Sequence, residues 1–290
     1  MACDPAASKS PRAPWYDSHQ SHQSPRSLLS AVKLFYDNLL TRATTAIAAS
    51  TENTEWPARF VAHPWRTRIW RTLATVSAEY VDFDLGSAVD PDGGGTAALI
   101  LLDHDLQATD SLLRLYGDDN AGFSTPDSYT YVHAAGPILL TTATNSNRYW
   151  RIAFTKDAAG ETRQIGCLFL GPAVTLAERP LYTGLRETRE DLSPSMRSAG
   201  GQVQSDARGQ FRRWTADFAA VAEASKTALA ALASLVGTHT PFFIQLDESG
   251  SNPGLGELLY VKLTKLPGFD VAGWDGAYFY DTKLELEEQL

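Results

Sequence analysis

Apolar and polar residues alternate with a period of two in several short runs. Val81, Phe83 and Leu85 alternate with Asp82 and Asp84, placing three apolar side chains on one strand face and two carboxylates on the other. Leu113 and Leu115 flank Arg114, and Trp150, Ile152 and Phe154 alternate with Tyr149, Arg151 and Ala153. The run Ala98-Leu99-Ile100-Leu101-Leu102 has no alternation and reads as a strand covered on both faces. Turn signals separate these runs: Pro91-Asp92-Gly93-Gly94-Gly95, Gly117-Asp118-Asp119-Asn120 and Asp157-Ala158-Ala159-Gly160. Strands at this spacing, with no helices between them, predict an antiparallel sandwich over 28–178.

The pattern then breaks. Residues 179–210 carry Arg179, Arg186, Arg189, Arg197 and Arg208 beside Gly200-Gly201 and read as a long loop or inter-domain connection. From Phe211 the spacing approaches 3.6. Phe211, Trp214, Phe218, Val221, Leu229, Leu232, Leu235 and Val236 predict an amphipathic helix of about 25 residues, begun near Asp206 and stopped at Gly237. The same aromatic stripe admits a binding role, although packing alone accounts for it. Strand patterns return at Phe242–Leu246, at Leu259, Val261 and Leu263, and from Tyr278 to Leu286, making 211–290 a helix on a small sheet. Residues 1–27 are rich in Ser, Pro, His and Gln and read as a flexible arm. His19 and His22 are either polar filler there or a grip for a metal ion.

The 290 residues allow one or two domains. Against 34 acidic residues stand 25 Lys and Arg, and the formal charge of -9 argues against coating nucleic acid or an anionic membrane. No apolar run approaches the roughly 18 residues of a membrane-spanning helix. The N-terminus lacks the basic-then-apolar order of a signal peptide, so export by the usual route is not expected. Cys3 and Cys167 are too few for a zinc site, and no structural disulfide is expected between them. Cys167, within Ile165–Leu170, reads as a small buried hydrophobe, and this cysteine usage suits folding in a reducing cytoplasm.

Chemistry-bearing motifs are sparse. Gly93-Gly94-Gly95 lacks the Lys-Ser/Thr of a phosphate loop. Asp103-His104-Asp105 follows a strand and has two readings. A carboxylate beside imidazole can orient it for catalysis or metal binding, or the triplet supplies hydrogen bonds at a strand end. Asp118 and Asp119 offer oxygen ligands for a hard cation, or simply make a turn. Nothing here forms a constellation for an enzyme, a cofactor or a metal. The segment Trp56–Arg71 differs, with three Trp and four Arg in sixteen positions. Flat rings and guanidinium forks make large contacts at low entropic cost, and aromatic platforms stack on sugar rings. Trp65, Arg66, Arg68 and Trp70 are therefore the candidate ligand-binding residues. The competing reading has the Trp side chains plugging one end of the sandwich while the Arg are solvated.

Several segments, taken in order, resemble the discoidin-like, galactose-binding-like jelly roll, in the version found in tail proteins of tailed bacteriophages. The carriers are Trp56-Pro57-Ala58 with Trp70-Arg71, then Tyr80–Gly86 ending in Asp-Leu-Gly, then Leu99–Leu106 around His104. Leu113–Gly117, Arg148–Ile152 and Ile165–Gly171 follow, the last two being the most specific. Asp105 stands where the family usually has Asn, and the family's frequent terminal disulfide is missing. The resemblance covers about half of the chain, from Asn38 to Gly171. With the segments beyond it, the implied fold is mainly β: an antiparallel jelly-roll sandwich followed by a smaller α+β unit with one long amphipathic helix. The 211–290 unit is also loosely similar to ring-forming modules of phage tail tips.

The resemblance implies adhesion or assembly rather than catalysis. The leading expectation is a structural virion protein of a phage tail tip or baseplate, made in the host cytoplasm. Its partners would be neighbouring tail proteins and copies of itself, without nucleic acid or membrane insertion. The alternative is a glycan-binding module that recognises the host envelope. The third is an enzyme, a glycoside hydrolase or esterase built around Asp103, His104 and Asp105.

Overall fold

A computed structural model describes residues 31–42, 44–89, 96–107, 110–131, 136–142, 147–157, 160–181, 184–206, 208–247, 257–274 and 278–289. The arm expected over 1–27, Cys3 and the Gly93-Gly94-Gly95 turn lie outside these residues. In chain order the strands of the first part are β1 (Val32–Phe35), β2 (Ala46–Ala49), β3 (Trp70–Arg71), β4 (Ala78–Val89), β5 (Thr96–Leu101) and β6 (Ser111–Asp118). They continue with β7 (Asp127–Thr130), β8 (Ile138–Thr142), β9 (Asn147–Thr155), β10 (Gln164–Ile165) and β11 (Leu168–Leu176). Next come β12 (Arg186–Asp191), β13 (Ser195–Arg197), β14 (Val203–Ser205) and β15 (Gln210–Ala222). Helix α1 (Glu223–Val236) is followed by β16 (Phe242–Gln245), β17 (Leu258–Lys265), β18 (Phe269–Trp274) and β19 (Tyr278–Glu288).

Two large antiparallel sheets carry the architecture. The first has five strands in the order β2-β4-β9-β6-β7. The second has ten, in the order β12-β15-β19-β17-β16-β1-β11-β5-β8, with β18 on β19. The five-stranded sheet packs on β5 and β11 through one core that includes Trp70, Val81, Phe83, Leu99, Leu115, Trp150, Ile152 and Leu168. A second core lies between the C-terminal strands and α1. Strand β1 joins the two halves, pairing with β11 on one edge and β16 on the other. Ala98 and Ile100 face a third cluster with Phe35, Phe169, Phe243 and Tyr260, while Leu99 and Leu101 face the first. The strand over Ala98–Leu102 is thus covered on both faces, as its unbroken apolar run requires.

Three features differ from the sequence expectation. The helix occupies only Glu223–Val236, and Gln210–Ala222 is a thirteen-residue strand. Trp214, Ala216 and Phe218 point inward with period two. A register shift between Phe218 and Val221, with Ala220 at φ 54°, moves the phase by one residue. Spacings of four and then three result, and these mimic a helix. The helix does end at Gly237, whose positive φ of 56° suits glycine. The segment 179–210 is not simply a loop: β12 pairs with β15, and β13 and β14 form a hairpin. Finally, the divisions at 178 and 211 do not interrupt the backbone hydrogen bonding, because one sheet runs from β8 to β12.

Candidate functional site

The Trp- and Arg-rich segment leaves the sandwich as a loop anchored on both sides. A short 3-10 turn over Ala58–Ala62 buries Ala58 and Val61. The Tyr260 hydroxyl, from β17, donates to the Pro64 carbonyl at 2.7 Å. Arg66 donates from Nε and Nη2 to the two Asp103 carboxylate oxygens at 2.6 and 2.5 Å, and from Nη1 to the Gln289 carbonyl at 2.9 Å. The Asp103 hydrogen bonds hold Arg66 firmly in its charged form, against the opposing effect of burial. Asp103 sits at φ 57°, a left-handed conformation that Asp tolerates better than most residues. The loop is thereby tied to β5's end and to the last residues of the chain.

Between these anchors the tip is wet. Trp65 is 59 % exposed. Its backbone N–H donates to His63 Nδ1 at 3.2 Å, and its carbonyl accepts from Arg68 N–H at 2.9 Å. The His63 ring lies 4.7 Å from the indole. Burial, then the nearby Arg68 charge, lower the His63 pKa, which favours the neutral ring that can accept this bond. The Arg68 guanidinium sits 4.9 Å from the Phe60 ring and 5.5 Å from the Trp65 ring. The result is an exposed indole flanked by an imidazole and by a guanidinium within cation–π range.

The four sequence candidates therefore separate. Trp65 stands exposed at the tip, with the half-buried Arg68 beside its ring. Arg66 is an anchor, committed to Asp103 and Gln289. Trp70 is fully buried, stacks edge-on with Phe154 at 6.1 Å and donates to the Thr51 carbonyl. It fills the sandwich end and cannot meet a ligand, which corrects the expectation for this residue. His63, Phe60 and Tyr260 were missed. His63 lay within the flagged segment, whereas Tyr260 is nearly two hundred residues away and has no local signal.

The other candidates disperse. Asp103 is paired to Arg66, Asp105 accepts from the Gln164 N–H at 2.7 Å, and His104 Nε2 lies 2.8 Å from the Gly136 carbonyl. The three groups serve three different partners and do not converge on a common point. Asp118 accepts from the N–H groups of Asn120 and Thr125, and Asp119 from that of Arg148, as turn residues do. Cys167 is buried, with its thiol pKa pushed up to about 12 by burial. Among the described residues, no group of three or more His, Cys, Asp or Glu could hold a metal ion, and no helix is long and apolar enough to cross a membrane.

No family model and no curated protein matches the chain. Solved structures do. A chitosan-binding module from a Paenibacillus chitosanase/glucanase aligns over 46 % of this chain and 97 % of its own, at 16 % identity and a TM-score of 0.36. A Streptococcus pneumoniae fucose-binding module covers 46 % of this chain and 96 % of its own, at 12 % identity and a TM-score of 0.37. A Clostridium perfringens module in complex with GalNAc-β-1,3-galactose covers 44 % and 95 %, at 10 % identity and a TM-score of 0.35. The class defined by the chain's own topology is a mainly β protein: a two-sheet antiparallel sandwich whose second sheet extends into an α+β unit, with one α-helix among the described residues.

Proposed function

We propose that the protein is a glycan-binding module whose contact platform is Trp65 with Arg68. The observation that carries this reading is the exposed indole held by fixed partners. A pyranose ring offers an apolar face of C–H groups to an aromatic plane, and its hydroxyls accept from a neighbouring guanidinium. The anchors at Pro64 and Arg66 pre-order the loop, which lowers the entropic cost of binding. The structural neighbours' sugars form the test panel: chitotriose, fucose and GalNAc-β-1,3-galactose. Saturable binding to one of them, lost in Trp65→Ala with the fold intact, supports the reading. Binding that survives Trp65→Ala moves the site elsewhere.

A second reading, assembly within a phage tail tip or baseplate, draws on a different observation. On the β13–β14 hairpin, Met196 is 72 % and Val203 60 % exposed, so two apolar side chains face water on an element with no large core of its own. In this reading the hairpin packs on a neighbouring tail subunit or a second copy. Light scattering on the full chain and on Met196→Glu tests self-assembly. An oligomer abolished by Met196→Glu favours it, and a monomer at high concentration counts against it.

A further inference from the structure

The outward face of the five-stranded sheet holds a depression of about 570 Å³, remote from the Trp65 loop in sequence and built from different elements. Its floor is set by strand register. Tyr80 on β4 and Arg114 on β6 both pair with Ala153 on β9, so a methyl group lies between a phenol and a guanidinium. One step along, Asp82 and Tyr116 both pair with Arg151. The small residue leaves the hollow, and the long side chains make its walls.

The walls are ordered by their own contacts. Arg151 donates to both Asp82 oxygens at 2.6 and 2.7 Å. Its guanidinium lies 4.0 Å from the Tyr80 ring and 4.3 Å from the Phe123 ring. Phe123 reaches this place from a tight turn in which its N–H donates to the Asn120 carbonyl. Its φ of 49° is a left-handed conformation that bulky residues rarely adopt, and such strain persists only where surrounding structure enforces it. Asp118 enforces it by accepting from the Asn120 and Thr125 N–H groups.

The charges do not cancel. Asp82 is matched by Arg151, and the Glu79 carboxylate is matched by the fully buried Lys156. Arg114 donates only to the Tyr116 hydroxyl, at 3.4 Å, and has no carboxylate partner among the described residues. The hollow thus presents three aromatic rings, one matched guanidinium and one unmatched guanidinium.

We propose that this hollow binds an acidic sugar: a pyranose ring against Tyr80, Tyr116 and Phe123, with its carboxylate on Arg114. A guanidinium fork matches a carboxylate in two hydrogen bonds, and the aromatic walls match the ring. The volume falls within the ~300–1,000 Å³ of small-ligand sites. The proposal rests on the reading of the protein as a glycan binder but assigns a second site, independent of Trp65.

The test is calorimetric titration of the full chain with trigalacturonate and with its carboxyl-reduced, neutral analogue. Trigalacturonate binds saturably, and the neutral analogue at least tenfold more weakly. Arg114→Gln weakens trigalacturonate at least tenfold, and Arg114→Lys, which keeps the charge without the fork, falls between. Ala153→Leu fills the floor and blocks binding without touching a charge. Trp65→Ala leaves trigalacturonate binding unchanged. Equal affinity of Arg114→Gln and the natural chain, or no binding of trigalacturonate, overturns the proposal. Neutral-sugar binding through Trp65 in the absence of uronate binding sinks this site alone. Arg114-dependent uronate binding with no Trp65-dependent sugar sinks the platform alone.

Discussion

Replacing Lys156 by methionine removes one half of a pair sealed from water. The Lys156 and Glu79 side chains are both 0 % exposed, with Nζ and Oε1 2.9 Å apart. All three ammonium protons are used, since Nζ also donates to the carbonyls of Leu73 and Glu161 at 2.7 and 2.9 Å. The other Glu79 oxygen accepts from the hydroxyls of Ser50 and Thr51 at 2.6 and 2.7 Å. Lys156→Met strands the carboxylate with two neutral donors, and breaking such a pair costs about 3–5 kcal/mol. In a chain of this size, at about 2 cal/mol/K of unfolding entropy per residue, that lowers the Tm by roughly 5–8 °C. Glu79→Gln with Lys156→Met leaves no buried charge and keeps acceptors for both hydroxyls, so the double variant recovers a large part of the loss. Guanidinium denaturation followed by tryptophan emission reads both, with the slope held as a check on two-state behaviour. A Lys156→Met variant within about 0.5 kcal/mol of the natural chain, the ordinary range for a surface substitution, would refute the reasoning, because it would mean that water reaches the pair.

Further outcomes follow from the same geometry. Trp70→Ala costs about 3–5 kcal/mol in denaturation, as a buried aromatic does, whereas Trp65→Ala changes stability by less than about 0.5 kcal/mol. Sugar binding at Trp65 weakens only in acid, below the ordinary histidine range, because the His63 pKa is lowered by burial and by Arg68. His63 has a lowered folded pKa, so its neutral, accepting form persists at neutral pH and is lost as pH drops through that lowered value. A pH-independent affinity from neutral pH into acid well below the ordinary histidine range contradicts this role. Iodoacetamide at mildly alkaline pH leaves Cys167 unmodified in the folded chain and labels it after unfolding, as peptide mapping reads, because burial keeps the thiol protonated.

Much of the sandwich is legible in the sequence because its strands alternate strictly. Val81, Phe83, Trp150, Ile152 and Leu115 all turn inward as their period requires. The outward residues of the same strands held the second site in plain view. Tyr80, Arg114, Tyr116 and Arg151 occupy the complementary positions, yet only the register of β4, β9 and β6 brings them around Ala153. That register joins segments some thirty to seventy residues apart and leaves no local trace. β15 misled for a physical reason: period two and period 3.6 share the spacing of four, and one bulge converts the next step to three. Trp65 and Trp70 are indistinguishable by residue type. Their separation depends on Trp70 entering a strand paired with β10 while Trp65 sits in a turn.

The most direct test of the Trp65 platform is an indole N–H spectrum of the full chain labelled with nitrogen-15 in its tryptophans, titrated with chitotriose, fucose and GalNAc-β-1,3-galactose. One of the sugars shifts the Trp65 signal saturably and leaves the signals of buried Trp70, Trp150 and Trp214 in place. A Trp65 signal that stays fixed while all three sugars reach millimolar concentration contradicts the account.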